Sequence, residues 1–164
     1  MADDDHILIS LEPRHAENLL DGRKRVELRR RAMNVSIGST VWMYAKLPVG
    51  SIIGRAIITA IHVLAPATLW KRFGAVSGIS RDEFFEYFAD RDEGIALELS
   101  NCRRLTHAFD LESLRRFDSG FQPPQFFTRL RRHASLLNAI SGGNGRKDCL
   151  AEEGSSPLSR TVAL

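Results

Sequence analysis

Apolar runs in this chain are short, and turn residues bound each of them. Ile7-Leu8-Ile9-Ser10-Leu11 stops before Pro13, Thr40 to Ala45 lies between Gly38 and Pro48, and Ile52 to Val63 follows Gly50 and carries Gly54 within it. Another run, Gly94 to Leu99, extends past Cys102. Brief runs rich in β-branched residues read as strands, and short strands bury themselves only by pairing with neighbours. Gly54 reads as a bulge or a point of close approach. The helical patterns between the strands are just as short. Pro13 opens one, and His15 to Asp21 carries Ala16, Leu19 and Leu20 on one face before Gly22 stops it. Pro66 opens another through Trp70 and Phe73; Ser80 and Glu83 have the capping-box spacing ahead of Phe84, Phe85, Tyr87 and Phe88. Asp110 to Phe117 reads as a short helix or turn, Gly120 to Phe126 as an irregular aromatic segment, and Thr128 to Ile140 as a helix with a basic face. About five strands with short helices inserted predict an α+β chain whose sheet curls into a small mixed β-barrel.

With 164 residues, 43% of them hydrophobic and 26% charged, one core can form without disulfide or metal staples. The expected layout is a flexible N-terminus over 1–6, one domain over 7–140 and a disordered C-terminal tail over 141–164, where Gly and Ser replace aliphatics. No apolar run approaches the roughly 18 residues of a spanning helix, so no membrane partner is expected. The acidic start does not read as a secretory leader, and Cys102 and Cys149 lie too far apart to suggest a metal pair or disulfide framework. A cytoplasmic protein without metal or other cofactor is the expectation.

Charge is concentrated rather than spread. The net charge is +3, but residues 23–31 hold six bases and one acid, and residues 101–141 hold seven bases and three acids. Such a run repels itself unless an anion or an interface offsets it. On a strand from Arg25 to Arg31, Val26 and Leu28 share the core face; Arg25, Glu27, Arg29 and Arg31 share the other. Lys24, in the turn before that strand, reads as a base, as a phosphate clamp, or as an exposed cationic tip of little consequence for the fold. Glu27, the one acid in the run, reads as a salt-bridge partner of Arg29 or as a carboxylate that reads an amino group on a base edge. Tyr44 and Lys46 share a strand face with Trp42, equipment for stacking a base and holding its phosphate or else a face covered by a helix. Arg55 follows Gly54, which admits a ligand close to the backbone.

Several blocks resemble a known family. Ile9-Ser10-Leu11-Glu12-Pro13 before a short helix, then Gly22-Arg23-Lys24-Arg25-Val26-Glu27-Leu28-Arg29, is similar to the opening of the ASCH domains, members of the PUA-like superfold. Tyr44-Ala45-Lys46-Leu47-Pro48, Ile53-Gly54-Arg55-Ala56 and Gly120-Phe121-Gln122-Pro123-Pro124-Gln125 resemble later blocks of a bacterial and phage branch. The resemblance covers residues 7 to about 130. It implies a PUA-like barrel with a cleft lined by the motif Lys, Glu and Arg, and roles in RNA binding, RNA processing or transcriptional regulation. One branch resembles amidohydrolases of N4-acetylcytidine with a Thr three residues after the motif Lys; here that position is Glu27, which cannot repeat a Thr nucleophile's role. Glu12 stands where many relatives carry a base.

The first functional expectation is therefore an RNA-binding domain for single-stranded or loop RNA, DNA being the weaker candidate, with Arg23, Lys24, Arg25, Glu27, Arg29, Tyr44, Lys46 and Arg55 forming a basic cleft. The second is an enzyme, either a metal-independent ribonuclease or a small amidohydrolase on a modified nucleoside, with Lys24, Glu27 and Tyr44 catalytic. A third is a protein-interaction module. If the strand after Lys24 pairs with Thr40–Ala45, then Lys24, Glu27, Arg29 and Tyr44 or Lys46 converge on one opening.

Overall fold

The computed structural model describes residues 5–148. In chain order they form β1 (His6–Leu11), α1 (Pro13–Leu20), β2 (Val26–Arg29), β3 (Thr40–Ala45), β4 (Ser51–Leu64), α2 (Pro66–Phe73), α3 (Arg81–Tyr87), β5 (Gly94–Asp110), α4 (Leu111–Phe117), β6 (Phe127–Arg129) and α5 (Ala134–Asp148). The six strands make one sheet in the order β2-β5-β4-β3-β1-β6, curled into a half-barrel with the five helices around it. The mixed α+β barrel expected from the short apolar runs is thus present. All pairs are antiparallel except β1 with β3, which run parallel with Ile7 opposite Val41 and Leu11 opposite Ala45.

Alternation along the strands creates three apolar clusters. The inner face of the curl collects Ile7, Ile9, Leu11, Val41, Met43, Ala45, Ile53, Ile58, Ile95 and Leu97, and α1 closes it with Ala16 and Leu19. On the outer face Leu8, Trp42, Tyr44 and Ile52 pack beneath Leu114 of α4, Phe121, and Leu136 and Ile140 of α5. At the β2 end, Val26, Leu28 and Ala96 lie beneath Leu69 and Phe73 of α2, Phe84 of α3 and Phe88 just after it. The helix signals read from sequence are the ones that operate. Pro66 and Pro13 stand in the first turns of their helices, and Ser80 and Glu83 form a reciprocal capping box.

Several features depart from the sequence expectation. There are six strands rather than about five, because Phe127–Arg129 pairs with Ile7–Ile9. The stretch from Thr128 to Ile140 is therefore not one helix. Its first residues satisfy the backbone of the β1 edge, a single 3-10 turn follows at Leu130–Arg132, and α5 starts at Ala134. β2 pairs with β5, not with β3, since β1 and β4 already occupy both edges of β3. Finally, His6 belongs to β1 and accepts a hydrogen bond from Trp42 Nε1 at 3.0 Å. The boundary expected at 141 falls inside α5. Residues 1–4 and 149–164 lie outside the described residues. Among the described residues, no helix is long and apolar enough to cross a membrane.

Gly54 serves both purposes foreseen for it. The β3–β4 and β4–β5 registers shift beside it, and a Cβ added there would stand 2.6 Å from Leu20 Cδ2 and 3.1 Å from the Arg103 carbonyl oxygen. Leu20 can rotate, but the backbone carbonyl cannot withdraw without breaking the ladder. Gly54→Ala is expected to cost about 1–3 kcal/mol in urea unfolding, and an unchanged midpoint and slope would contradict this packing.

Candidate functional site

The curl of the sheet brings the inner face of β2 opposite the C-terminal end of β1 with no backbone ladder between them. Side chains occupy this seam. Glu27 and Arg29 alternate with Val26 and Leu28, so the apolar pair goes beneath α2 and α3 while the charged pair turns into the seam. Lys24 reaches the same place from the turn before β2. The carboxylate of Glu27 lies between the two cations, with Oε2 at 3.4 Å from Lys24 Nζ and Oε1 at 3.2 Å from Arg29 Nη2. All three are buried, Lys24 at 3%, Glu27 at 5% and Arg29 at 9% exposure. Lys24 Nζ also donates to the Ser77 carbonyl at 2.9 Å. Arg29 Nη2 contacts the Ser10 carbonyl at 3.5 Å, and its guanidinium lies 5.5 Å from the centre of the Phe126 ring.

These groups line a cleft of about 250 Å³ together with Ser10, Leu11, Glu12, His15, Leu28, Lys46, Ile79 and Tyr87. Lys46, at the mouth, is paired with Glu12 at 3.2 Å. Burial, followed by the charge of Lys24, holds the His15 imidazole below its ordinary pKa. Burial pushes the Tyr87 phenol above its ordinary value, and its hydroxyl donates to the Leu28 carbonyl at 3.4 Å. Three buried polar atoms in this one cleft have no hydrogen-bond partner: Glu27 Oε2, Arg29 Nε and His15 Nδ1. Oε2 thus has the charge of Lys24 beside it but no hydrogen bond. Unpaired buried groups are costly, and three of them lie together here. Among the described residues no cluster of three His, Cys, Asp or Glu side chains is arranged to hold a metal ion.

Of the eight residues singled out in the sequence, four meet here: Lys24, Glu27, Arg29 and Lys46. Tyr44 does not line the cleft. It is buried on the outer face with Leu8 and Trp42, where burial raises its pKa. Lys46 escapes that face because the strand ends at Ala45 and the turn after it releases the alternation. Arg23 is exposed beside Asp21, and Arg25 is exposed at the approach to β2. Arg55 lies on the outer face, 5.9 Å from the Trp42 ring centre. Nor is Lys24 the exposed tip expected of a turn residue, because the Ser77 carbonyl and Glu27 draw it inside. Residues that sequence reasoning missed are Ser10, Leu11, Glu12, His15, Leu28, Ile79 and Tyr87. The spacing of Glu12 and His15 across the first turn of α1 was a usable signal; Tyr87 was hidden in a run of core aromatics.

Two outcomes are expected. Lys24→Ala removes a cation from a buried pair and orphans the Ser77 carbonyl, so it should lower unfolding free energy by about 3 kcal/mol in urea titration. His15 favours its neutral form in the fold, so the unfolded chain binds the extra proton first. Stability should fall as pH drops below about 6.5, and His15→Gln should lose less over the same interval in thermal melts.

The chain matches no protein-family model. It is 34% identical over 125 residues to an ASCH domain-containing ribonuclease of Zymomonas mobilis, a match covering 76% of this chain and 84% of that protein. The crystal structure of the ASCH protein of Zymomonas mobilis superposes with a TM-score of 0.78 at 32% identity, covering 84% of this chain and 96% of that one. The N-terminal domain of Staphylothermus marinus McrB, at a TM-score of 0.51 and 13% identity over 81% of this chain and 93% of that one, shares the fold alone. With a third of the aligned residues identical along most of both proteins, and the same half-barrel beneath them, the chain belongs to the ASCH domain family.

Proposed function

We propose that the protein binds single-stranded or loop RNA, seating one unpaired base in the cleft between β1 and β2. The observation that carries this reading is the trio of buried partnerless polar atoms, Glu27 Oε2, Arg29 Nε and His15 Nδ1, on side chains that line a space of about 250 Å³. A flat heterocycle with donors and acceptors on one edge suits such a space. Paired bases hide that edge, which favours unpaired RNA over duplex. Tyr87, 39% exposed and lining the cleft, offers a face for stacking in place of Tyr44. Lys46 at the mouth suits a phosphate, and Arg23 and Arg25, exposed on the neighbouring turn, extend the positive surface. The family relationship to a protein named a ribonuclease supports the RNA assignment. The setting would be the cytoplasm, and a role in RNA processing or transcriptional regulation fits such binding.

One observation favours catalysis as a second reading: His15 is held neutral with Nδ1 unpartnered. A neutral imidazole is the group needed to take the proton of a ribose 2′-hydroxyl. That oxygen then attacks the adjacent phosphorus, the bond to the 5′-oxygen breaks, and the departing oxygen takes up a proton. Lys24 and Arg29 would steady the charge on the phosphoryl oxygens. In this reading Lys24 and Glu27 keep the catalytic place foreseen for them, and His15 takes the place foreseen for Tyr44. Amide hydrolysis on a modified nucleoside and a purely protein-binding role have no comparable observation in their favour.

Labelled single-stranded RNA, incubated with the protein with and without chelator, separates the readings. Binding is expected, with affinity falling steeply between low and physiological salt as counterions are released. Tyr87→Leu should weaken binding about tenfold, the stacking increment for one base. Cleavage that survives chelator and is lost in His15→Ala, while binding is only weakened, establishes the second reading. No binding at any salt concentration rejects both.

A further inference from the structure

We infer, building on the RNA reading above, that the cleft selects uracil by the edge that carries its imide. The order of charges at its floor sets this selection. Lys24 Nζ, the Glu27 carboxylate and the Arg29 guanidinium stand in succession, at 3.4 Å and 3.2 Å from oxygen to nitrogen. Ammonium and guanidinium groups only donate hydrogen bonds, and an ionised carboxylate only accepts them. The floor therefore presents donor, acceptor, donor. Its acceptor oxygen Glu27 Oε2 has the Lys24 ammonium at 3.4 Å but no hydrogen bond, and Arg29 Nε of the guanidinium has no hydrogen-bond partner.

The complement of this pattern is acceptor, donor, acceptor. Uracil supplies it with O2, N3–H and O4. Cytosine and adenine place a ring-nitrogen lone pair at the centre of that edge, where it would meet the Glu27 carboxylate. Guanine supplies the central N1–H, but its 2-amino group would then point at a cation. Each alternative leaves a buried charge unpaired or faces like with like, and sites of this kind reject analogues more sharply than apolar pockets do. The remaining walls fit a single ring: Leu11 and Ile79 are apolar, and Tyr87 is aromatic. The three buried charged side chains keep the pattern fixed, because the Ser77 carbonyl anchors Lys24, and the Ser10 carbonyl and the Phe126 ring anchor Arg29.

The test is fluorescence anisotropy with short labelled homopolymers of uridine, cytidine and adenosine, and with a uridine homopolymer methylated at N3. Uridine is expected to bind at least tenfold tighter than cytidine or adenosine. N3-methylation should erase that advantage, because it removes the donor and leaves the ring. Glu27→Gln, whose amide both donates and accepts, should bring the uridine-to-cytidine ratio towards one; because the methylated ligand is tested on the unaltered protein, the conclusion does not depend on that variant folding. Equal binding of all homopolymers, or preference for cytidine or its N4-acetyl form, overturns the uracil assignment and leaves the RNA reading standing. Absence of binding to every one of them overturns both.

Discussion

A carboxylate held between two cations joins the ends of this sheet. β2 stands at one end of the strand order, with β1 and β6 at the other, and no ladder of hydrogen bonds closes the gap. Glu27 draws Lys24 and Arg29 into it, and both cations reach beyond the carboxylate to backbone carbonyls, at Ser77 and Ser10. A buried ionic cluster is a poor source of stability compared with apolar packing of the same volume, because each charge must leave water. Its value here is positional. It fixes three side chains that would otherwise sample many rotamers, and it does so without satisfying all of their hydrogen-bonding capacity. The unsatisfied remainder, Glu27 Oε2 and Arg29 Nε, lies in the seam itself.

Most of the framework was legible in the sequence because it rests on local rules. Thr40–Ala45 has the strand bounds that its alternation predicts, and the Ser80–Glu83 box caps its helix as its spacing says it should. Gly54, marked by its place inside a strand, proved to be both an irregularity and a point of contact with Leu20. What was not legible depends on who pairs with whom. Whether β2 lies beside β3 or β5 is decided by competition for strand edges, and no property of residues 26–29 taken alone reveals it. The same is true of Phe127–Arg129, whose assignment changed because the edge of β1 needed a partner.

The site followed the same division. Lys24, Glu27 and Arg29 carry their roles in their spacing: two residues apart on a strand for the last pair, and a turn position for the first. Alternation correctly sent Glu27 and Arg29 to the face opposite Val26 and Leu28; that this face is also buried comes from the curl of the sheet. Tyr44 and Tyr87 show the limit of reading aromatics from sequence. The first sits beside a promising Lys but faces the outer cluster, and the second sits in a run of phenylalanines but turns its ring to the cleft. Only the third dimension separates them.

The link between Lys24 and Ser77 spans 53 positions of the chain, and among the described residues β2 finds its one ladder partner in β5, with Val26 opposite Glu98. During synthesis the basic run therefore emerges long before either partner exists. A nascent chain that has reached β4 already has β1, β3 and β4 able to associate, yet the segment around Lys24 has no seat. Contacts so distant in sequence form late, after the cost of closing the intervening loop has been met. Lys24, Glu27 and Arg29 are consequently seated only once β5 is available, and a chain interrupted before that strand carries these residues without the ladder that holds them in place.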